Sequence, residues 1–504
     1  MKPHLLGIDV GSTMVKAAVF DGRGTELAVA ARKVEHVSPS PGWDEVDMHS
    51  LWRDTCSVIK AAIEKADVES NSIAAVTCTG FGNGLFLVDE AGQPVRAGIG
   101  SGDSRAMEYV KRWEEECLDR MLPKTMQRLW PGQPNALLAW LMEHEPEVLK
   151  KAKWLFMVKD FIRFRLTGQA AMEITDLSGT SLIDVGRGCY DREVLAAWGL
   201  VDLESIMPPI VQSADTCGTI TPAAATQTGL AEGTAVAGGM FDIDACGLAV
   251  GMTDESTLCM VAGTWGNNQY ISKTPVVSRD IFMTSRYSMT GYYLMLEGSA
   301  TSASNLEWFV TNFCEADKKL LTDDPSSDVF DLCNQLVAST EPDKPYDSGI
   351  TFLPYLYGSP VEIAAKACFM GLDGSHTRAD LLRAIYEGVV FGHRWHVEKL
   401  LQFRTMPAAI RLTGGACKSE IWMQIFADIL QTTIEVPAGS ELGALGASIC
   451  GSVAVGVHDS YEAACAAMVR IDRRYDPNPE NASVYEAKYA RFKQLVKTFS
   501  NFQS

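Results

Sequence analysis

The sequence predicts a two-domain α/β protein in which one strand–hairpin–strand–helix–strand unit occurs twice, with a cleft between the halves. Three observations predict this. A chain of 504 residues is too long for one ordinary hydrophobic core. Its 47% hydrophobic and 21% charged residues fit a well-packed globule. Two stretches, one at the start and one after about residue 250, open alike with a strand, a glycine-containing turn and a second strand.

In the first stretch, His4–Val10 reads as a short buried strand ended by Gly11-Ser12-Thr13. Val15–Phe20 is a second strand leading into Asp21-Gly22-Arg23-Gly24, and Asp-Gly between apolar runs is a hairpin signal. Leu27–Lys33 gives a third strand. Met48–Ala66 has helical spacing in Leu51, Trp52, Thr55, Val58, Ile59 and Ile63. Ile73–Thr79 and Leu85–Val88 are strand-like again. In the second stretch, Ser256–Val261 is a strand, Gly263-Thr264-Trp265-Gly266 turns the chain, and Asn268–Ile271 pairs back. A helix follows Thr377, with a capping-box pattern of Thr377 and Asp380 and an apolar stripe of Leu381, Leu382, Ile385, Val389 and Val390. Ala409–Thr413 is a strand, and a helix through Ile421, Ile425 and Ile429 follows Ser419. Gly247, Gly251 and Thr253-Asp254-Glu255 interrupt the pattern, which sets the boundary between a 1–247 half and a 248–504 half.

Composition excludes several classes of function. The net charge of −19 argues against nucleic acid or an anionic membrane as partner. No apolar run approaches the about 18 residues of a spanning helix, and Asp9 interrupts the only apolar start, so a cytoplasmic location is expected. The 13 cysteines are odd in number, scattered and never spaced Cys-x-x-Cys, which predicts buried thiols in a reducing compartment. A phosphate ligand would have to be held locally, by backbone N–H groups, a few cations and Mg²⁺.

Three segments carry chemistry. Gly7-Ile8-Asp9-Val10-Gly11-Ser12-Thr13 ends a strand with a carboxylate able to hold the waters around Mg²⁺. Gly11 lets the backbone approach phosphate closely, Ser12 and Thr13 offer donors, and Lys16 adds a cation. An ordinary strand-turn with a capping Asp is the bland alternative. In Ala237-Gly238-Gly239-Met240-Phe241-Asp242-Ile243-Asp244, Asp242 falls in the first turn of a helix, where the dipole favours an ionised carboxylate. That suits a base taking the proton of a hydroxyl during phosphoryl transfer. The alternative is that Asp242 merely caps the helix, a bland role that suits Asp244 better. The strand-to-helix turn Gly414-Gly415-Ala416-Cys417-Lys418-Ser419 leaves room for a flat ring or a phosphate, as do such turns in many αβ units.

In this order and spacing, the three segments resemble the FGGY carbohydrate kinases. Further matches are Trp43 to Asp47, Lys159-Asp160 through Gly168, Thr175-Asp176 through Thr180, Phe352 to Gly358, and Glu441-Leu442-Gly443-Ala444-Leu445-Gly446-Ala447. The resemblance covers nearly the whole chain. It implies an actin-like ATPase fold (ASKHA, ribonuclease H-like) of two duplicated domains with a central cleft, the first half serving the sugar and phosphate and the second the nucleotide. It implies ATP-dependent phosphorylation of a small sugar or polyol with Mg²⁺ as cofactor, and it allows a homodimer. Asp242 would be the catalytic base, and Asp9 would sit by the metal. Gly11, Ser12, Thr13 and Lys16 would lie near the transferred phosphate, with Gly263 and Thr264 at the ATP phosphates. Ala303, Glu307, Gly414, Gly415 and Ser419 would line the nucleotide pocket. Gly82, Asn83 and Asp103, with Asp242, would face the sugar.

The chain departs from its best-known relatives where Phe81-Gly82-Asn83 replaces the Gln-Met-His of D-xylulose kinases and the Arg-Glu pair of glycerol kinases. Ser101-Gly102-Asp103 stands for Trp-Asn-Asp, Gly263-Thr264-Trp265 for Gly-Thr-Ser, and Gly358-Ser359-Pro360 for Gly-Glu-Arg. Phe81–Gly84, Glu297-Gly298-Ser299 and Asn305-Leu306-Glu307-Trp308 look closer to L-xylulose kinases, with erythritol-type kinases next. A ketopentose, L-xylulose ahead of D-xylulose, is therefore the expected substrate.

Three rival readings fare worse. Gly80-Phe81-Gly82-Asn83-Gly84 suggests a dinucleotide-binding turn, but a strand follows it where that fingerprint needs a helix. His393 and His396 suggest zinc, but no third ligand stands out. A non-catalytic ATP-dependent sugar sensor would need no base aimed at a hydroxyl, and this chain has both Asp9 and Asp242.

Overall fold

The computed structural model describes residues 3–317, 328–340, 349–358 and 365–500. Ser359 and Pro360, singled out above as a departure from Gly-Glu-Arg, lie outside them. The chain divides into two compact units. The first comprises Met1–Asp254, Ile271–Met295 and Gly439–Val469; the second comprises Glu255–Tyr270, Leu296–Ala438 and Arg470–Ser504.

The sheet of the first unit is built on His4–Val10, which pairs antiparallel with Met14–Asp21 and parallel with Ile73–Gly80. Glu26–Lys33 extends one side, and Ala235–Ala237 and Thr216–Thr219 the other. The expected strand boundaries are met to within a residue or two, and the helix runs over Met48–Ala66 as the periodicity predicts. Asp47 caps that helix by accepting from His49 N and Ser50 N, and the stripe from Leu51 to Ile63 is buried. A second helix, Leu442–Ala454, has almost no polar face and is almost wholly buried. It packs on His4–Val10, Ile73–Gly80 and the Asp242–Ala249 helix. Small residues permit this: a Cβ on Gly446 would lie 2.0 Å from Ala245 O.

The second unit repeats the arrangement. Leu258–Ala262 pairs antiparallel with Gly266–Ser272 and parallel with Ala409–Thr413, followed by parallel Thr433–Pro437 and antiparallel Ile471–Tyr475. The capping box of Thr377 and Asp380 opens the helix Arg378–Leu400. His393 and His396 lie inside that helix and do not meet as metal ligands. His393 contacts Asn268 Oδ1 at 2.9 Å and Ser302 Oγ at 2.8 Å, and His396 contacts Glu297 Oε2 at 2.9 Å. Burial drives the His393 pKa down to about 3, with His396 adding to the effect, so its ring is neutral in the fold.

Among the described residues no helix is long and apolar enough to cross a membrane. All the cysteines except Cys189, Cys246 and Cys368 are buried. After Gly84 the chain continues into the strand Phe86–Val88, so the dinucleotide reading fails where expected.

Candidate active site

The first unit brings two carboxylates together from separate segments. Asp9 stands one residue from the end of the opening strand, opposite Lys16 on one neighbour and Thr79 on the other. Asp242 is the first residue of the helix Asp242–Ala249, after the short strand Met240–Phe241. Phe241 is the N-cap, so Asp242 is the first helical residue and not the cap itself. Asp244 is fully buried, and its Oδ1 accepts from Ser288 N at 3.0 Å and Ser288 Oγ at 3.2 Å, which ties the helix to a distant segment of the same unit. Burial pushes the Asp242 carboxyl up to about 8, and repulsion from Asp9 adds to the rise. Burial likewise pushes Asp9 up to about 6, with Lys16 opposing and Glu441 reinforcing the shift. The rise makes each carboxylate, once ionised, a stronger base than an ordinary Asp.

The Asp9 carboxylate packs closely against a glycine of the late helix. A Cβ on Gly443, in the first turn of the Leu442–Ala454 helix, would fall 2.4 Å from Asp9 Oδ2. Among the described residues no group of three or more His, Cys, Asp or Glu side chains could hold a metal ion. A pair of facing carboxylates without a closed cage fits Mg²⁺, which takes one or two carboxylates and completes its shell from phosphates and water.

The turn after Asp9 is tight, with Gly11 N donating to Met14 O at 3.0 Å, and both Ser12 and Thr13 are exposed. Lys16 is not a lone cation, since its Nζ lies 2.8 Å from Glu441 Oε2. That pairing joins the opening hairpin to the late helix, and spacing alone could not reveal it.

The expected substrate residues differ in what they present. Gly82 is buried against Phe241, whose ring would lie 2.3 Å from any Cβ added there. The Phe81-Gly82-Asn83 departure is therefore a packing exchange, in which the Phe241 ring fills space that a side chain at 82 would need. Asn83 has φ +64°, and its Oδ1 is buried with no hydrogen-bond partner among the described residues. Asp103 turns inward and is fully buried. Its Oδ1 accepts from Arg105 N at 2.8 Å and Nε at 2.9 Å, and its Oδ2 from Arg105 Nη2 at 2.8 Å and Asp44 N at 2.7 Å. With both oxygens so engaged, Asp103 holds its loop.

Asp103→Ala should then act through stability. Removing one partner of a buried pair costs about 3–5 kcal/mol, measurable as a lowered denaturant midpoint. An unchanged midpoint with a raised sugar KM would instead place Asp103 on the substrate.

The second unit contains a cavity of about 460 Å³. It gathers Gly263, Thr264, Ala303, Glu307, Gly415 and Ser419, six of the residues expected at a nucleotide. Gly414 lies behind it with φ +102°, where a Cβ would meet Ala262 O at 2.5 Å. Ala303 N donates to Gly263 O at 2.9 Å and Ser304 Oγ to Thr264 O at 3.0 Å, tying the Gly263–Thr264 turn to the Ser304–Phe313 helix. Ser419 is the N-cap of Glu420–Leu430, accepts from Trp422 N and donates to Asn334 Oδ1 at 2.6 Å. Tyr386, stacked on Trp422 with centroids 4.3 Å apart, donates to the same Asn334 oxygen at 2.8 Å. A flat aromatic floor with fixed polar groups suits a purine. Sequence reasoning missed Asn334 and Tyr386. Tyr386 sits in the buried part of a helix and reads as core, and Asn334 belongs to no motif.

The model of the FGGY family of carbohydrate kinases, N-terminal domain, matches residues 4–249, and that of the C-terminal domain matches residues 258–455. The probable L-xylulose kinase of Pasteurella multocida (strain Pm70) is 37% identical over 499 residues, covering 98% of each chain. The L-xylulose/3-keto-L-gulonate kinase of Escherichia coli (strain K12) is 36% identical over 510 residues, covering 100% of this chain and 99% of that one. The crystal structure of xylulose kinase from Rhodospirillum rubrum superposes with a TM-score of 0.86 at 27% identity, covering 99% of both chains.

Proposed function

This chain belongs to the FGGY family of carbohydrate kinases, and we propose that L-xylulose is the sugar it phosphorylates. It has the actin-like ATPase fold and is a phosphotransferase that uses ATP to phosphorylate a sugar. The observation that carries the choice of sugar is the full-length identity of 34–37% to three proteins described as L-xylulose kinases. The packing of Phe241 against Gly82 supports it, because a side chain like those of D-xylulose or glycerol kinases has no room there.

In this reading Asp242 orients the attacking hydroxyl and takes its proton, with Asn83 offering its buried oxygen to another hydroxyl. Asp103 shapes the sugar side by holding its loop. The Gly11-Ser12-Thr13 turn meets the transferred phosphate with backbone and hydroxyl donors, and the Lys16–Glu441 pair steadies the hairpin beneath it. Gly263 and Thr264 contact ATP phosphates. Ala303, Glu307, Gly414, Gly415 and Ser419 surround the adenosine, with Tyr386 and Trp422 as its floor. Asp9 would hold Mg²⁺, whose contribution is to neutralise charge on the phosphate oxygens. Residues 1–247 carry the sugar and phosphate functions and 248–504 the nucleotide functions. A cytoplasmic location and a homodimer complete the proposal.

The test is ADP release with ATP, Mg²⁺ and one sugar at a time. L-xylulose should give a higher kcat/KM than D-xylulose, glycerol or erythritol. D-xylulose as the best substrate would reject the choice of sugar. ATP binding without sugar-stimulated ADP release would favour a sensor.

A further inference from the structure

His36 lies in the first unit, outside every segment given a role above. His36-Val37 pairs antiparallel with Glu45-Val46, which pairs in turn with Gly98-Ile99. This small sheet sets His36 between the Gly11–Thr13 turn and the loop that ends at Asp103. One ring nitrogen, Nε2, contacts the carbonyl oxygen of Ser12, and the other, Nδ1, contacts Asp44 Oδ1. Both partners are acceptors. A neutral imidazole has one N–H and can satisfy only one of them, whereas an imidazolium satisfies both.

Asp44 is itself held from the far side. Its backbone N donates to Asp103 Oδ2 at 2.7 Å and its carbonyl accepts from Gly100 N at 2.8 Å. Its Oδ2 lies where a Cβ on Gly100 would be, 2.1 Å away. A continuous line of contacts therefore runs from Asp103 through Asp44 and His36 to the Ser12 carbonyl.

We propose that His36, in its doubly protonated form, is a positioning residue that fixes the Ser12–Thr13 peptide for phosphate binding, with Asp44 as its anchor. The inference rests on reading the Gly11–Thr13 turn as the phosphate site. In a planar trans peptide the carbonyl of Ser12 and the N–H of Thr13 point opposite ways. Drawing the carbonyl toward His36 thus aims the Thr13 N–H away from it, as a fixed donor. The turn's other ties, Gly11 N to Met14 O and Val34 N to Thr13 O, do not engage the Ser12 carbonyl.

The hydrogen bond to Asp44 raises the His36 pKa above its ordinary value; burial opposes this, and the Asp44 charge and the Ser12 carbonyl reinforce it. Asp44 is the charged group facing the ring. Below the raised pKa both contacts hold. As pH rises through it one proton leaves, the charge-assisted bond to Asp44 keeps the remaining N–H, and a bare Nε2 faces the Ser12 carbonyl. The peptide is then released, and the use of ATP declines.

The experiment pairs kinetics with ¹⁵N-histidine NMR on the full chain. In the wild type, kcat/KM for ATP should fall on the alkaline side with a midpoint above the ordinary value of about 6.5. His36 should show two protonated nitrogens at pH 6 and titrate with that same midpoint. Asp44→Asn should lower the NMR midpoint. His36→Gln, which cannot donate in two opposite directions, should remove the alkaline limb and cost roughly tenfold in kcat/KM for ATP at pH 6. A single protonated nitrogen at pH 6, or a glutamine variant that keeps the wild-type limb, would overturn the proposal. A wild type inactive with every sugar at every pH would overturn the phosphate reading beneath it, while the NMR would still report the state of His36.

Discussion

Asp242→Asn should lower turnover with the sugar by at least the roughly 10²–10⁴-fold that a general base contributes, about 3–5 kcal/mol of barrier. The substitution keeps size and hydrogen-bonding capacity but removes the proton acceptor. In a loose phosphoryl-transfer transition state the hydroxyl proton leaves late, so the loss of orientation adds to the loss of basicity. The cavity proposed for adenosine is lined by residues of the second unit and does not include Asp242, so the KM for ATP should change little. Added Mg²⁺ should not restore turnover. Near-normal turnover in the variant would remove Asp242 from the role and make Asp244 the next candidate, since both Ser288 contacts engage its Oδ1 and leave Oδ2 without a partner among the described residues.

Asp9→Asn should show the opposite pattern. Exchanging a charged ligand for a neutral amide should raise the KM for Mg-ATP by about tenfold to a hundredfold, the range of a lost charge-assisted contact. Raised Mg²⁺ should recover part of that loss. Asn has the shape of Asp, so the exchange leaves the close packing of this side chain on Gly443 unchanged. Steady-state kinetics of both variants across a Mg²⁺ series separates the two carboxylates. Equal rescue of both would mean that neither is assigned correctly.

Much of the fold could be read from the sequence because its signals are local. The opening hairpin follows from Asp21-Gly22 between apolar runs, the Met48–Ala66 helix from its apolar stripe, and the Arg378–Leu400 helix from its capping box. Asp9, Asp242 and the Gly414–Ser419 turn were legible because each ends a strand in a short motif. What stayed hidden depends on residues distant in sequence. Lys16 meets Glu441 across 425 positions, and Asn334 meets Ser419 across 85. Asp103 was legible as a motif residue, but its inward turn is fixed by Arg105 and the Asp44 backbone, and neither motif nor spacing carries that information. The bulk of Phe241 explains Gly82 only once the two are seen in contact.

The most direct test of the central claim is the ³¹P NMR spectrum of the reaction mixture containing the wild-type protein, ATP, Mg²⁺ and L-xylulose. Transfer to a terminal hydroxyl predicts ADP and a new phosphomonoester in equal amounts, the phosphorus split by the two protons of its CH₂ carbon. The same mixture with Asp242→Asn should show almost none of it. ADP accompanied only by inorganic phosphate, or a phosphomonoester from D-xylulose but none from L-xylulose, would contradict the account.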